Sequence, residues 1–446
     1  MSANTSRRDL LKMASLASFG MGLADAQGPE GAPPANASVA DMKFEAKDAI
    51  RVGIIGTGGR GNSHIDNFGA IPQVRITALC DTIQAKTEAA SARLVGMGKP
   101  APALFHSDDQ AYEKLVARDD IDLVLIATPW IWHVPMAVAA MTQGKHVGVE
   151  VPAARTLDEC WTLVNVSETT RRHCLILENC CYGEPELMVL LMVRDGLLGE
   201  LTHAACAYNH DLRSVLFSTN GEGLWRRMEN EIRNGNLYPT HGLGPVCNYL
   251  DVNRGDRLET LVSMSSLSAS LQAYRTEKLP ASDPRRKEDY RNGDCNISLI
   301  RTAKGRLIEL EHNVAEPQPY DRINLIAGTK GIFRDYPQRI YIDGARSEDF
   351  GTLDPYKEKY THPYWRKVGE LAKQLGGHGG MDFVMAYRLT ECMRNGTVPD
   401  INVYDAATWS APGPLSEISV AQGSTPQQFP DFTRGVWKTQ ARTMQM

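Results

Sequence analysis

Residues Ile50 to Gly56 read Ile-Arg-Val-Gly-Ile-Ile-Gly, a short apolar run rich in β-branched side chains that leads directly into glycine. A run of this kind has the character of a central parallel strand buried on both faces. Gly56, Gly58 and Gly61 then form Gly-x-Gly-x-x-Gly, and residues 62–70 can begin a helix whose N-terminal amides face a pyrophosphate. The next strand-like run, Val74 to Cys80, ends in Asp81, twenty residues after Gly61. A carboxylate placed there accepts hydrogen bonds from the adenosine ribose and repels a 2′-phosphate, which favours NAD over NADP. The competing reading is a glycine turn followed by a surface aspartate in an unrelated α/β protein.

Two further strands follow in the same rhythm. Residues 122–128 form a buried run stopped by Pro129, and residues 145–150 form another stopped at Pro152, with a helical stretch over 133–144 between them. Strands alternating with helices imply a doubly wound parallel sheet, whose ligand lies at the carboxyl ends of the strands. That rule puts Trp130, Trp132, His133, Glu150 and Val151 at the cofactor edge, although both tryptophans can equally serve to cap the sheet. After residue 175 the alternation gives way to longer strands, such as 297–302, 306–313 and 322–327, joined by irregular connections. The fold class expected is α/β plus α+β: an N-terminal Rossmann domain over 48–175 and a substrate domain over 176–415 built on an open, largely antiparallel sheet. Residues 416–446 form a C-terminal arm.

With 446 residues the chain can bury two cores. The formal net charge of -5 and the scattered arginines provide no basic face for a phosphate backbone, so nucleic acid is not expected as a partner. No stretch beyond residue 30 is apolar for the length of a bilayer span. Arg7-Arg8-Asp9-Leu10-Leu11-Lys12, the weakly apolar run 13–24 and the small-x-small site Ala24-Asp25-Ala26 together resemble a twin-arginine export signal. The expectation is a signal peptide over 1–26, a Pro/Ala/Gly/Ser-rich flexible leader over 27–47 and a periplasmic location reached through the twin-arginine machinery. Nine cysteines at irregular spacing are not a disulfide framework, and the absence of CxxC pairs or HExxH leads to an expectation of no metal site.

The order of parts resembles the Gfo/Idh/MocA oxidoreductases: the glycine motif, Asp81, the Ala-Thr-Pro segment before the tryptophans, and Glu150-x-Pro152. That family usually carries Glu-Lys-Pro, whose lysine assists removal of the substrate's hydroxyl proton, and Val151 stands in its place here. A narrower group accommodates the difference. Glu150-Val-Pro152, Ile176-Leu-Glu-Asn179, Cys181-Tyr182, Trp225-Arg226, Tyr238-Pro-Thr-His241-Gly-Leu-Gly-Pro245 and Pro430-Asp-Phe-Thr-Arg434-Gly are similar to glycoside hydrolase family 109, typified by NAD-dependent α-N-acetylgalactosaminidases. The resemblance runs from about residue 50 to the C-terminus. It implies cofactor contacts at Gly56, Gly58, Gly59, Arg60, Gly61, Asp81, Trp130 to His133, Glu150, Val151 and Asn179. It implies sugar contacts at Tyr208, Arg226, Tyr238, Pro239, Thr240, His241 and Tyr320. Tyr182 and His210 compete with Tyr208, and Tyr320 can reach the site or merely pack the sheet.

The chemistry implied by the resemblance is redox-neutral. Oxidation at C3 of a terminal N-acetylhexosamine acidifies the C2 hydrogen, the C1 group is eliminated, water adds, and the ketone is reduced again. The alternative is a net NAD-dependent sugar oxidoreductase. His241 is the expected acid/base, with Tyr238 sharing the proton step at C2 or holding the sugar, because His and Tyr move protons near neutral pH. Arg226 beside Trp225 suits a sugar clamp, or a surface charge on a helix. NAD is expected to be held tightly and recycled within each turnover, since a cofactor returned to its starting state needs no exchange. An open sheet face favours homo-oligomers.

Overall fold

The computed structural model describes residues 38–345 and 347–444, so the Arg7-Arg8 segment, the expected cleavage site and the leader up to residue 37 lie outside the described residues. Six parallel strands form the first sheet: β1 Ile50–Ile55, β2 Val74–Cys80, β3 Ala103–Phe105, β4 Leu123–Ile126, β5 His146–Val149 and β6 Cys174–Ile176. Their order is β3-β2-β1-β4-β5-β6, so the strand order reverses between β1 and β4 and opens a ligand crevice at the strand ends there. All four residues of β4 and of β5 are buried, as continuous apolar runs between two helical layers must be.

The second sheet has eight strands: β7 Leu201–Asn209, β8 Leu258–Ser265, β9 Asn296–Thr302, β10 Leu307–Asn313, β11 Leu325–Gly328, β12 Gly331–Arg334, β13 Arg339–Ile342 and β14 Gln427–Gln428. They run in the order β13-β12-β11-β7-β10-β9-β8-β14. Only β7 and β10 pair in parallel; every other neighbouring pair is antiparallel. Strict alternation in β9 turns Ser298 and Ile300 inward and leaves Ile297 and Leu299 exposed, so one face is covered and the other open. Among the described residues no helix is long and apolar enough to cross a membrane.

Two helices from the C-terminal part return to the first sheet. Met381–Asn395 packs on the helix Gly59–Gly69 and on β1, while Val403–Ser410, buried at every residue, packs on β6 and the helix Leu157–Thr170. Of the leader expected over 27–47, residues 38–47 are described, and they lie against the rest of the protein. Val39, Ala40 and Phe44 are buried, and the Phe44 ring lies 4.9 and 4.3 Å from the rings of His146 and His173. These apolar side chains, with backbone bonds from Phe44 to Thr397 and from Lys47 to Met393, pin the segment to the core, which a composition of small residues upstream does not reveal.

Candidate functional site

The glycine turn is built by exclusion. Gly56 has φ +88°, and a Cβ there would lie 2.4 Å from the Ala127 carbonyl oxygen; one on Gly61 would lie 1.8 Å from the Gly56 oxygen. Both positions therefore demand glycine for a tight turn between strand and helix. At Gly58 and Gly59 nothing stands within 4 Å of the Cβ position, so the outer side of the turn is open for a ligand to approach the backbone. Asp81, at the end of β2, accepts from the Thr57 amide at 2.9 Å and from the Ile83 amide at 3.0 Å. This arrangement of open turn, helix N-terminus and strand-end carboxylate fits a dinucleotide.

Beside the turn, one connected polar network joins the expected cofactor residues. Arg60 bonds Glu150 through Nε and Asp382 through Nη1, the latter at 2.8 Å. His64 Nε2 lies 2.8 Å from Glu150, and Asn179 donates to Asp382 at 2.6 Å. Burial opposes the charge on Glu150, but Arg60 and His64 outweigh it and hold the carboxyl at about 2. Asp382 is likewise held well below the carboxylate range, burial being overcome by His378 and Arg60. Asp382 starts its helix after Gly376-Gly377-His378-Gly379-Gly380, a loop in which all five residues have positive φ. Val151 is buried and precedes a cis peptide to Pro152; it brings no amine to the site.

The residues expected on the sugar side converge on Tyr238. Its ring lies 4.4 Å from Tyr208, 4.9 Å from His241 and 5.9 Å from Trp130, and the Arg226 guanidinium sits 4.6 Å above its centre. Arg226 also lies 5.3 Å from the Trp130 ring and 5.8 Å from that of Tyr208; its Nη1 donates to Glu222 at 2.6 Å, and Nη2 has no partner among the described residues. A buried guanidinium walled by rings presents its N–H donors in a fixed geometry. Tyr320 joins through its edge contacts with His210 at 5.1 Å and Tyr208 at 6.1 Å. Burial pushes the phenols of Tyr208 and Tyr238 above their ordinary range, so both stay protonated at neutral pH, and the imidazoles of the group, His241 beside Tyr238 and His210 beside Tyr208, are left as its proton acceptors.

His241 lies in the first turn of the helix Thr240–Tyr249, which packs on β7 and on the turn Asn179–Tyr182. Its Nδ1 is 2.8 and 3.0 Å from the two oxygens of Glu178, a fully buried carboxylate just beyond β6. Burial opposes that charge, and His241 with the Cys180 amide holds the carboxyl below its ordinary range.

Other expected residues have side chains engaged elsewhere or built into the scaffold. His133 is buried with both ring nitrogens on carbonyl oxygens, Pro152 at 2.8 Å and Thr128 at 3.0 Å, so its side chain braces the loops rather than opening toward a ligand. Pro239 caps the His241 helix and Thr240 is its buried first residue. Trp132 packs edge-on to Tyr112, and Tyr182 points at Asp400, away from the Tyr238 group. His210 is 3.2 Å from the Tyr208 hydroxyl, so these two belong to one group rather than being alternatives. Sequence reasoning omitted Glu178, Glu222 and Asp382 from the site. Glu178 could have been found as a charge directly following a buried strand, and Asp382 as the acid after a Gly-Gly-His-Gly-Gly loop. No metal is expected from the sequence; among the described residues Glu178, Cys180 and His241 bring donor atoms within 4.8 Å of one another. All nine cysteines are free, and only Cys295 is not fully buried.

Residues 182–439 match the family model described as glycosyl hydrolase 109, C-terminal domain, and residues 50–177 match the oxidoreductase family, NAD-binding Rossmann fold. The chain is 70% identical over 437 residues to a glycosyl hydrolase family 109 protein of Solibacter usitatus (strain Ellin6076), covering 98% of each. It is 52% identical over 403 residues to one of Streptomyces niveus, covering 90% of this chain and 81% of that protein. Among solved structures, levoglucosan dehydrogenase in complex with NADH and levoglucosan is similar with a TM-score of 0.65 at 19% identity, covering 86% of this chain and all of that one. An NAD binding oxidoreductase from Klebsiella pneumoniae is similar with a TM-score of 0.65 at 17% identity, covering 86% of this chain and 99% of that one. Both share the fold.

Proposed function

The chain belongs to glycosyl hydrolase family 109, and from that membership and the geometry of its site we propose that it hydrolyses a terminal N-acetylhexosamine, α-linked N-acetylgalactosamine foremost, with a resident NAD. When bound, NAD supplies a hydride acceptor for the sugar's C3 hydrogen and gives the hydride back at the end of the cycle. Gly56 to Gly61, Asp81, Arg60, Glu150 and Asn179 would hold it. His241 takes the C3 hydroxyl proton. The C3 ketone acidifies the C2 hydrogen, which leaves as a proton to water as the C1–O bond breaks and the departing oxygen takes up a proton; water then adds across C1 and C2, returning a hydroxyl to C1 and a solvent proton to C2, and His241 gives its proton back to O3 when the ketone is reduced. Tyr238, a neutral phenol beside His241, donates a hydrogen bond on the C2 side, and Arg226 with Trp130 and Tyr208 clamps the ring.

One observation carries this reading. The residue at the cofactor edge, Trp130, touches both Tyr238 and Arg226, so the cofactor and sugar sets form one continuous group. The carboxylates bonded to this group are spoken for, Glu178 by His241 and Glu222 by Arg226, which does not support the facing carboxylate pair of ordinary glycosidases. Val151 in place of a lysine weighs against net sugar oxidation.

The test is incubation with an aryl N-acetyl-α-galactosaminide in D2O. Phenol release without accumulating NADH, with deuterium at C2 of the freed sugar, is expected. NADH accumulating with the oxidised sugar would establish the oxidoreductase instead, and neither product would remove both. We also read Arg7-Arg8 and residues 1–26 as a twin-arginine signal that exports the folded, loaded enzyme to the periplasm. Replacing both arginines by lysine should retain the protein in the cytoplasm, and unchanged periplasmic recovery would refute that.

A further inference from the structure

The catalytic reading uses His241 and leaves Glu178 without a task, yet this carboxylate is entirely buried and, among the described residues, its only ionisable partner by hydrogen bond is that histidine. A buried charge is costly unless something specific requires it. We propose that Glu178 is the positioning residue of the site: it holds His241 through Nδ1–H, so that Nε2 is the ring nitrogen presented to the sugar.

Four features of the structure lead there. An ionised carboxylate can only accept, so a nitrogen 2.8 and 3.0 Å from its two oxygens must carry hydrogen, which fixes the tautomer. Glu178 is itself fixed, since the Cys180 amide donates to Oε1 at 3.1 Å. The helix bearing His241 is shaped to admit it: a Cβ on Gly244, one turn on, would lie 2.9 Å from Glu178 Cγ and 3.0 Å from Cys181 Sγ. A Cβ on Gly242 would lie 2.6 Å from the Ala207 amide, so both glycines of His-Gly-Leu-Gly give clearance, one toward β7 and one toward Glu178. The rings of Tyr238 and Tyr208, at 90° and 72° to the imidazole, hold its plane from other sides. When Nε2 takes the C3 hydroxyl proton, the positive ring faces a carboxylate across a short bond in a dry surrounding, as a buried acid serves the histidine of a hydrolase triad.

This inference rests on His241 being the acid/base, and the experiment separates the two claims. The first arm is the wild-type enzyme: ¹⁵N spectra of labelled protein, with the His241 signals assigned by their loss in His241→Ala, should show a protonated Nδ1 and a bare Nε2. The second is Glu178→Gln, which keeps shape and removes charge. It should lower kcat about 10²–10⁴-fold with KM changed less than about threefold, retain NAD through desalting, and lose the fixed tautomer. An Nε2–H tautomer in the wild type, or wild-type kcat in Glu178→Gln beside an inactive His241→Ala, overturns the positioning role alone. Activity abolished by EDTA and restored by a divalent cation also overturns it, because Glu178, Cys180 and His241 would then be ligands. Full activity in His241→Ala instead overturns the reading beneath it. The wild-type spectrum decides the tautomer even where Glu178→Gln does not fold.

Discussion

His241 and Tyr238 are three residues apart, yet the structure gives them different chemistry. The phenol is buried among rings that keep it protonated, while the imidazole is tied to a carboxylate on one side. Replacing His241 by alanine is expected to lower kcat for aryl N-acetyl-α-galactosaminide about 10²-fold or more, the usual worth of a positioned acid/base; a loss within a fewfold would remove His241 from the mechanism. At this scale the sequence is readable wherever the constraint is local. Gly56 and Gly61 announce themselves because sterics within a single turn forbid other residues, and Asp81 because it follows the next strand at a fixed distance from them and accepts from the turn's own amide. Glu178 does not, since its meaning depends on a partner 63 positions away, and a charge after a strand looks like a strand boundary. His133 shows the reverse case: correctly located at the strand ends, its side chain is consumed by two backbone carbonyls that no pattern displays.

Among elements, the loop Gly376 to Gly380 and the helix Met381–Asn395 bring a second jaw to the cofactor site. The loop turns back through positive φ at each position, and a Cβ on Gly380 would strike the Ala372 backbone at 2.8 Å. The turn delivers Asp382 to Arg60, 322 residues earlier in the chain, and to Asn179. Removing that carboxylate in Asp382→Ala frees Arg60 from one of its two anchors. The expected result is a roughly tenfold or greater loss of NAD affinity, about 1.4 kcal/mol or more. Unchanged cofactor content after desalting, beside wild type, would contradict it. The strands of the first sheet's centre were legible from periodicity, and so was the largely antiparallel character of the second sheet, though not its parallel β7·β10 pair. That the C-terminal helices fold back over the first sheet was not, because an apolar stripe on a helix says that it is buried and not against what.

For the whole molecule, acid should be the vulnerable direction. Burial lowers His146, His173 and His312 to about 3 and His362 to about 4, so these rings are neutral when folded and protonate near 6.5 when unfolded. Their contribution is intact above about pH 6.5 and drains away as pH falls toward 4, since the unfolded chain then binds protons that the folded one refuses. Glu150 and Asp122, each held at about 2 against the penalty of burial by paired cations, act in the same sense below their ordinary carboxylate values. The urea midpoint should therefore fall steadily from pH 7.5 to 5; a flat profile would show that the rings are hydrated in the folded state.

The way Met381–Asn395 and Val403–Ser410 roof the parallel sheet also limits how this architecture can be taken apart. A chain cut after β6 would uncover the faces of β1 and the Gly59–Gly69 helix on which Met381–Asn395 packs and lose the partner of the Leu157–Thr170 helix. Such a fragment should be recovered as aggregate rather than as a free-standing nucleotide carrier. Recombination between distant relatives at that seam would inherit half a roof, so the coenzyme module and the sugar-handling module of this lineage can be exchanged only as one piece.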